Sequence, residues 1–141
     1  KDIIYVADSD YDGTGGNCLI RKISPDGIVS TLAGITSKPG HTDGSTKKSQ
    51  FDRPVGITAT SEGVIFIADT EADLIRKIDE KGMVSTIGGK YLDESFADGP
   101  GSEARFADPQ SIVVDRKGNL YIADTFNNRI RKGTKAGRSE Q

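Results

Sequence analysis

The chain has 141 residues, 28% of them charged and 34% hydrophobic, with 17 glycines, 5 prolines and no tryptophan. Nineteen Lys and Arg against 21 Asp and Glu leave a formal net charge of −2, which supplies no general attraction to nucleic acid or anionic lipid. No apolar run approaches the roughly 18 residues of a membrane span, so no membrane insertion is expected, and a lone cysteine closes no internal disulfide.

In chain order, short β-branched and aromatic runs alternate with tight turn signals, the pattern of antiparallel strands joined by hairpins. Ile4-Tyr5-Val6-Ala7-Asp8 comes first, then an aspartate- and glycine-rich stretch, then Leu19-Ile20-Arg21-Lys22-Ile23 and Val29-Ser30-Thr31-Leu32. A long connection from about Ile35 to Arg53 leads to a complete unit. Its strands a, b, c and d are predicted near Gly56 to Thr60, Val64 to Asp69, Leu74 to Ile78 and Met83 to Gly88. Ser61-Glu62-Gly63 makes the a–b turn and Asp79-Glu80-Lys81-Gly82 the c–d turn, each with a glycine that permits positive φ. A second long connection, Lys90 to Asp108, precedes Ser111-Ile112-Val113-Val114, a run ending at Asp124, and Arg129-Ile130-Arg131-Lys132.

These elements are copies of one another. Ile20, Ile75 and Ile130 stand 55 residues apart, and the same interval relates Val29 to Val84, Asp43-Gly44 to Asp98-Gly99, Phe51 to Phe106 and Pro54 to Pro109. Asp69 and Asp124 keep it too, but Asp8 lies 61 residues before Asp69, so six residues are inserted after Asp8. One four-stranded sheet cannot bury both its faces alone, so such units must stack. The predicted fold is all-β: β-propeller blades of four-stranded antiparallel sheet in a partial ring of three blades, the first and third incomplete. Blade 1 supplies strands b–d over 1–34, blade 2 spans 55–89, and blade 3 supplies strands a–c over 110–132. The propeller segment ends at 133, and 134–141 is a polar tail.

The stretch Asn119-Leu120-Tyr121-Ile122-Ala123-Asp124-Thr125-Phe126-Asn127-Asn128-Arg129-Ile130-Arg131-Lys132 resembles the NHL repeat, as do Phe106-Ala107-Asp108-Pro109 and Ile112-Val113-Val114-Asp115. The resemblance covers residues 1 to about 133 and implies a ring that usually has six blades. It also implies a choice of functions, since such propellers bind proteins or RNA and related rings are lyases or lactonases. The open blade edges would then take the remaining blades or a second chain.

In an a–b–c–d meander the d–a and b–c connections share one end, where both long loops and the insertion fall. Long loops on a rigid scaffold are where binding usually resides, so that face is the expected working face. Its charge counts +2 for the first d–a loop, −3 for the second and −3 for Asp8, Asp10 and Asp12, a total of −4 that disfavours RNA.

The insertion begins Asp8-Ser9-Asp10-Tyr11-Asp12-Gly13-Thr14, a D-x-D-x-D-G pattern. Carboxylates at alternate positions of a tight loop can converge on Ca2+, with Thr14 offering a carbonyl. The candidate metal residues are therefore Asp8, Asp10, Asp12 and Thr14. The loop resembles the calcium loops of integrin alpha-chain propellers and the first half of an EF-hand, although Leu19 and Gly16 stand where those loops have acids. The competing reading is structural, because Asp8 belongs to the repeat and Asp and Gly favour turns without metal.

Asp8, Asp69 and Asp124 are expected to cap turns or pair with Arg21, Arg76 and Arg131, and Phe51 and Phe106 to anchor the return loops between blades. His41 is read as a surface loop residue and Cys18 as partly exposed at the start of strand c, with no neighbour in sequence to activate it. The strand-a starts supply no carboxylate or histidine, so no catalytic residue is assigned. The reading is a binding or scaffold module for a protein or glycan partner; a lyase or lactonase with its catalytic residues in other blades is the alternative. An imperfect calcium loop suits millimolar calcium, so an extracellular or cell-envelope location is expected.

Overall fold

A computed structural model describes residues 2–10 and 16–135. Its strands are β1 (Ile4–Asp8), β2 (Leu19–Ile23), β3 (Val29–Ala33), β4 (Gly44–Ser45), β5 (Pro54–Ala59), β6 (Ile65–Asp69), β7 (Leu74–Ile78), β8 (Met83–Gly89), β9 (Pro109–Val114), β10 (Leu120–Asp124) and β11 (Arg129–Gly133). They form three antiparallel sheets, β1-β2-β3, β4-β8-β7-β6-β5 and β11-β10-β9, which are the three blades. The repeat fixes the register: Val6 pairs with Arg21, Ile67 with Arg76 and Ile122 with Arg131.

Two details depart from the sequence reading. Strand a starts earlier than Gly56, at Pro54 and likewise at Pro109; proline is tolerated there because a first residue need not donate to the ladder. The second blade also has a fifth strand. Asp43-Gly44 reads as a turn, yet Gly44-Ser45 pairs with Val84 and Met83 on the outer edge of the blade. The Asp43 carboxylate fastens it by accepting from the backbone N–H and the hydroxyl of Thr86.

Successive side chains of a strand point to opposite faces, and in the middle blade both faces are buried. Ile65, Ile67, Ile78 and Val84 share one core with Ile20 and Ala33 of the first blade, sealed by Phe51 from the return loop. Ala68 and Ile75 share the other with Ile112, Leu120 and Ile122 of the third blade, sealed by Phe106. Each fully buried Ile or Phe contributes about 1.5–3 kcal/mol, so the junctions are the main source of cohesion. On the axis side, β5 and β9 approach so closely that a Cβ at Gly56 would lie 2.8 Å from the Ser111 Cα. Only glycine fits there.

A buried ion pair locks each return loop to its blade. Arg76 is fully buried; it donates to Asp69 at 2.8 Å, to Asp43 at 2.9 Å, and to the carbonyls of Gln50 and Thr42. Arg131 repeats this with Asp124, Asp98 and the carbonyls of Arg105 and Ala97. Each guanidinium also lies over the phenylalanine of its own loop, 4.8 Å from the Phe51 centroid and 4.7 Å from that of Phe106. Arg21 keeps its pair with Asp8 at 2.8 Å, but both side chains are more than a quarter exposed.

Removing one partner of a buried pair strands the other charge, whereas a half-exposed pair is screened. Arg76→Ala should therefore destabilise the chain by about 3–5 kcal/mol, and Arg21→Ala by about 1 kcal/mol or less. Urea unfolding midpoints of the two variants check the ranking; equal losses would show that the return loop adds nothing to the pair.

Candidate functional site

Backbone hydrogen bonds gather the long loops and the b–c turns on one face. Glu71 N–H donates to the Asp52 carbonyl, Leu92 N–H to that of Ala72, Phe126 N–H to that of Ala107, and Ser37 N–H to that of Gly16. The two d–a loops also meet each other. The His41 ring stacks on Tyr91 at 3.8 Å between centroids, and the Tyr91 hydroxyl donates to the Asp52 carboxylate at 3.3 Å. His41 is exposed, as expected, but its contact with Tyr91 was not legible, because the two lie in different repeats and do not occupy equivalent positions.

Carboxylates collect where this face approaches the strand-a starts. Arg53 neutralises Glu71 at 2.8 Å, while Asp108 accepts from the Gln110 amide at 2.5 Å and Asp73 accepts from the Asp108 backbone N–H at 2.8 Å. Burial raises Asp52 above the ordinary carboxylate range, opposed by the Tyr91 hydroxyl. Burial also pushes Asp73 up to about 6, and the charges of Glu94, Asp108 and Glu71 add to it against the Asp108 N–H. In Asp69, burial outweighs the Arg76 guanidinium and pushes the carboxyl upward. Much of the charge counted from sequence is tied up internally: Asp43 and Asp98 hold arginines, and Arg105 pairs with Asp93 at 2.9 Å.

Asp8, Asp69 and Asp124 do pair with the strand-c arginines. Asp69 and Asp124 also accept a backbone N–H of the return loop, from Asp52 and Ala107. Cys18 corrects the sequence reading: it is buried, at 4% exposure, because its position matches Asp73, which the next blade covers. Burial raises its thiol pKa, opposed by the Arg53 backbone N–H, which disfavours the reactive thiolate.

Of the proposed metal residues, Asp12 and Thr14 lie outside the described residues. Asp8 Oδ2 accepts from Arg21 at 2.8 Å, and the Asn17 amide reaches both carboxylate oxygens at 3.1 and 3.2 Å. Asn17 therefore acts as a donor to Asp8, as Asn127 does to Asp124 at 2.9 Å. Asp10 is exposed, and a Cβ at Gly16 would strike its side chain. No group of three His, Cys, Asp or Glu side chains is placed to hold a metal among the described residues. Among the described residues Asp8 Oδ1 accepts from Asn17 alone, and a carboxylate oxygen has a second acceptor site.

Comparison with known proteins places these repeats. The sequence model of the NHL repeat matches residues 106–132. NHL repeat-containing protein 2 of Bos taurus is 40% identical over 83 residues, which is 57% of this chain and 11% of that protein. A structural genomics protein of unknown function from Bacteroides thetaiotaomicron superposes with a TM-score of 0.78 at 32% identity, over 88% of this chain and 30% of that one. A streptogramin B lyase superposes at 0.56 with 21% identity, over 88% of this chain and 33% of that one, a likeness of fold alone. The chain thus spans about a tenth of its bovine relative and a third or less of these solved chains.

The repeat itself supplies a test of the carboxylate cluster, since Asn128 occupies the position of Asp73 with the same left-handed backbone, φ 57° against 60°. A carboxyl raised to about 6 in the fold, against 3.8 unfolded, binds its proton more tightly when folded. Stability then falls as pH rises from about 4 to about 6 and stays low above that. Asp73→Asn keeps the acceptor oxygen without the charge, so it should stabilise the chain by about 1 kcal/mol at pH 7.5 and by almost nothing at pH 4. Melting temperatures at the two pH values check this; an equal shift at both would remove the charge from the account.

Proposed function

Because the chain is built of NHL repeats arranged as propeller blades, we propose that it is part of a non-enzymatic binding and scaffold module whose loop-rich face holds a protein or glycan partner. One observation carries this reading: both long loops are tied into a single surface by the His41–Tyr91 stack and the Tyr91–Asp52 hydrogen bond. A surface so braced loses little conformational entropy when it binds. The strand-a starts, Pro54-Val55-Gly56 and Pro109-Gln110-Ser111, carry no carboxylate or histidine at the axis. That weighs against a lyase or lactonase reaction performed by these blades.

The test uses immobilised chain screened against defined glycans and purified extracellular-type proteins. A paired His41→Ala and Tyr91→Ala variant should lose at least about tenfold in affinity for a ligand so found, since a few central aromatic contacts dominate most interfaces. Lys81→Ala with Lys117→Ala, on the opposite turns, should leave it unchanged. Binding lost only in the second variant would put the working surface on the wrong face.

The aspartate-rich loop enters the same proposal as a weak calcium site at the rim of that face, in a protein exposed to extracellular calcium. Asp10, Asp12 and the Thr14 carbonyl would supply most ligands and Asp8 its remaining lone pair, so affinity should lie in the range of about 10⁻⁴–10⁻³ M. Calorimetric titration with calcium checks it. Heat that is lost in Asp10→Asn supports the site, and no heat with no shift in melting temperature at millimolar calcium removes it.

A further inference from the structure

Two large apolar side chains stand bare on the loop-rich face. Phe126, in the b–c turn of the third blade, is 64% exposed. Its equivalent in the middle blade, Glu71, still shows 53% of its side chain although blades flank it on both sides, so the position is open whatever stands beside it. Leu92, in the second d–a loop, is 59% exposed at the joint between the second and third blades. It holds a left-handed backbone, φ 59°, as Ser37 does at the equivalent place in the first loop. Neither packing nor backbone geometry asks for leucine there.

Backbone contacts join the two side chains into one row. The Leu92 N–H donates to the Ala72 carbonyl at 3.0 Å, the adjoining Asp73 carboxylate accepts from the Asp108 N–H at 2.8 Å, and the Ala107 carbonyl accepts from the Phe126 N–H at 3.1 Å. An apolar group thus stands at each end, with two aspartates between. The charges that act most on Asp73, those of Glu94, Asp108 and Glu71, share its sign. Among the described residues only Glu71 of these is paired with an arginine. The row is therefore short of cations and carries apolar surface that no part of the chain covers.

We infer that this row docks a protein segment in which an aliphatic or aromatic side chain stands next to a lysine or arginine. The inference rests on the loop-rich face being the working face and names the partner for it. Leu92 and Phe126 supply the apolar contact, and Glu94 and Asp108 take the cation, with the Asp73 charge behind them. A nucleic acid or an anionic lipid surface would be repelled by the same carboxylates. A neutral glycan would leave their mutual repulsion unrelieved, and Leu92 offers it no aromatic ring to stack on.

A phage-displayed library of random peptides panned on the immobilised chain tests this, with a panel of neutral glycans as the second arm. Enriched peptides should carry a net positive charge and at least one large apolar residue. Synthesised and titrated by fluorescence anisotropy, they should lose at least about tenfold in affinity when Leu92→Ser is combined with Phe126→Ser, because a few apolar anchors dominate most interfaces. They should lose as much when their own Lys and Arg are changed to Glu, and bind more weakly as salt is raised. Both substituted positions are exposed, and serine already stands at 37, so the melting temperature of the variant should not move. No enriched peptide, enrichment of neutral or acidic peptides, or cationic peptides indifferent to the paired serine variant overturns the inference. Glycan binding that His41→Ala with Tyr91→Ala abolishes, in the absence of any enriched peptide, overturns it while the working face stands. Binding in either arm that only Lys81→Ala with Lys117→Ala removes, or no binding in both, overturns the two together.

Discussion

The second and third blades each depend on an arginine that has been taken out of water. Arg76 sits in the middle strand of its sheet with no exposed surface, and an isolated guanidinium there would be far too costly to keep. The fold tolerates it because Asp69, Asp43 and two loop carbonyls surround it, and Phe51 lies against it. The arginine is thus the point at which strand b, strand c, strand d through Asp43, and the return loop are tied together. Arg131 repeats the arrangement residue for residue, which makes the arrangement a property of the repeat rather than an accident of one blade.

That knot explains why a long loop on this scaffold can be rigid. The first d–a connection leaves the first blade and runs out to pair as a short fifth strand on the second blade. It then returns past Arg76 and inserts Phe51 between the sheets before strand a begins. Its two ends are thus fixed to different blades. Its exposed His41 is braced by the next loop through Tyr91. A surface made in this way comes from the joints between blades, and no blade could present it alone.

Strand order, the three blades and the Asp–Arg pairs were legible in the sequence because the repeat states each of them more than once. What was not legible depends on contacts between residues that occupy different positions in the repeat. The fifth strand hid behind Asp43-Gly44, which has the composition of a turn. The Cys18 environment was misjudged because the residues before it, Gly15-Gly16-Asn17, read in sequence as a turn, while the cover comes from Arg53 in the next blade. The role of Asn17 follows only from the orientation of its amide, which no spacing rule fixes.

The central claim is that the repeats stack face to face as adjacent blades, with one phenylalanine sealing each joint. Methyl-to-aromatic nuclear Overhauser contacts in the isotope-labelled chain test it most directly. The account predicts contacts from the Phe51 ring to methyl groups of both Ile20 and Ile67, and from the Phe106 ring to those of both Ile75 and Ile112. Contacts linking Ile20 directly to Ile75 and Ile75 to Ile130, as neighbours in a single flat sheet, with neither ring bridging two blades, would contradict it.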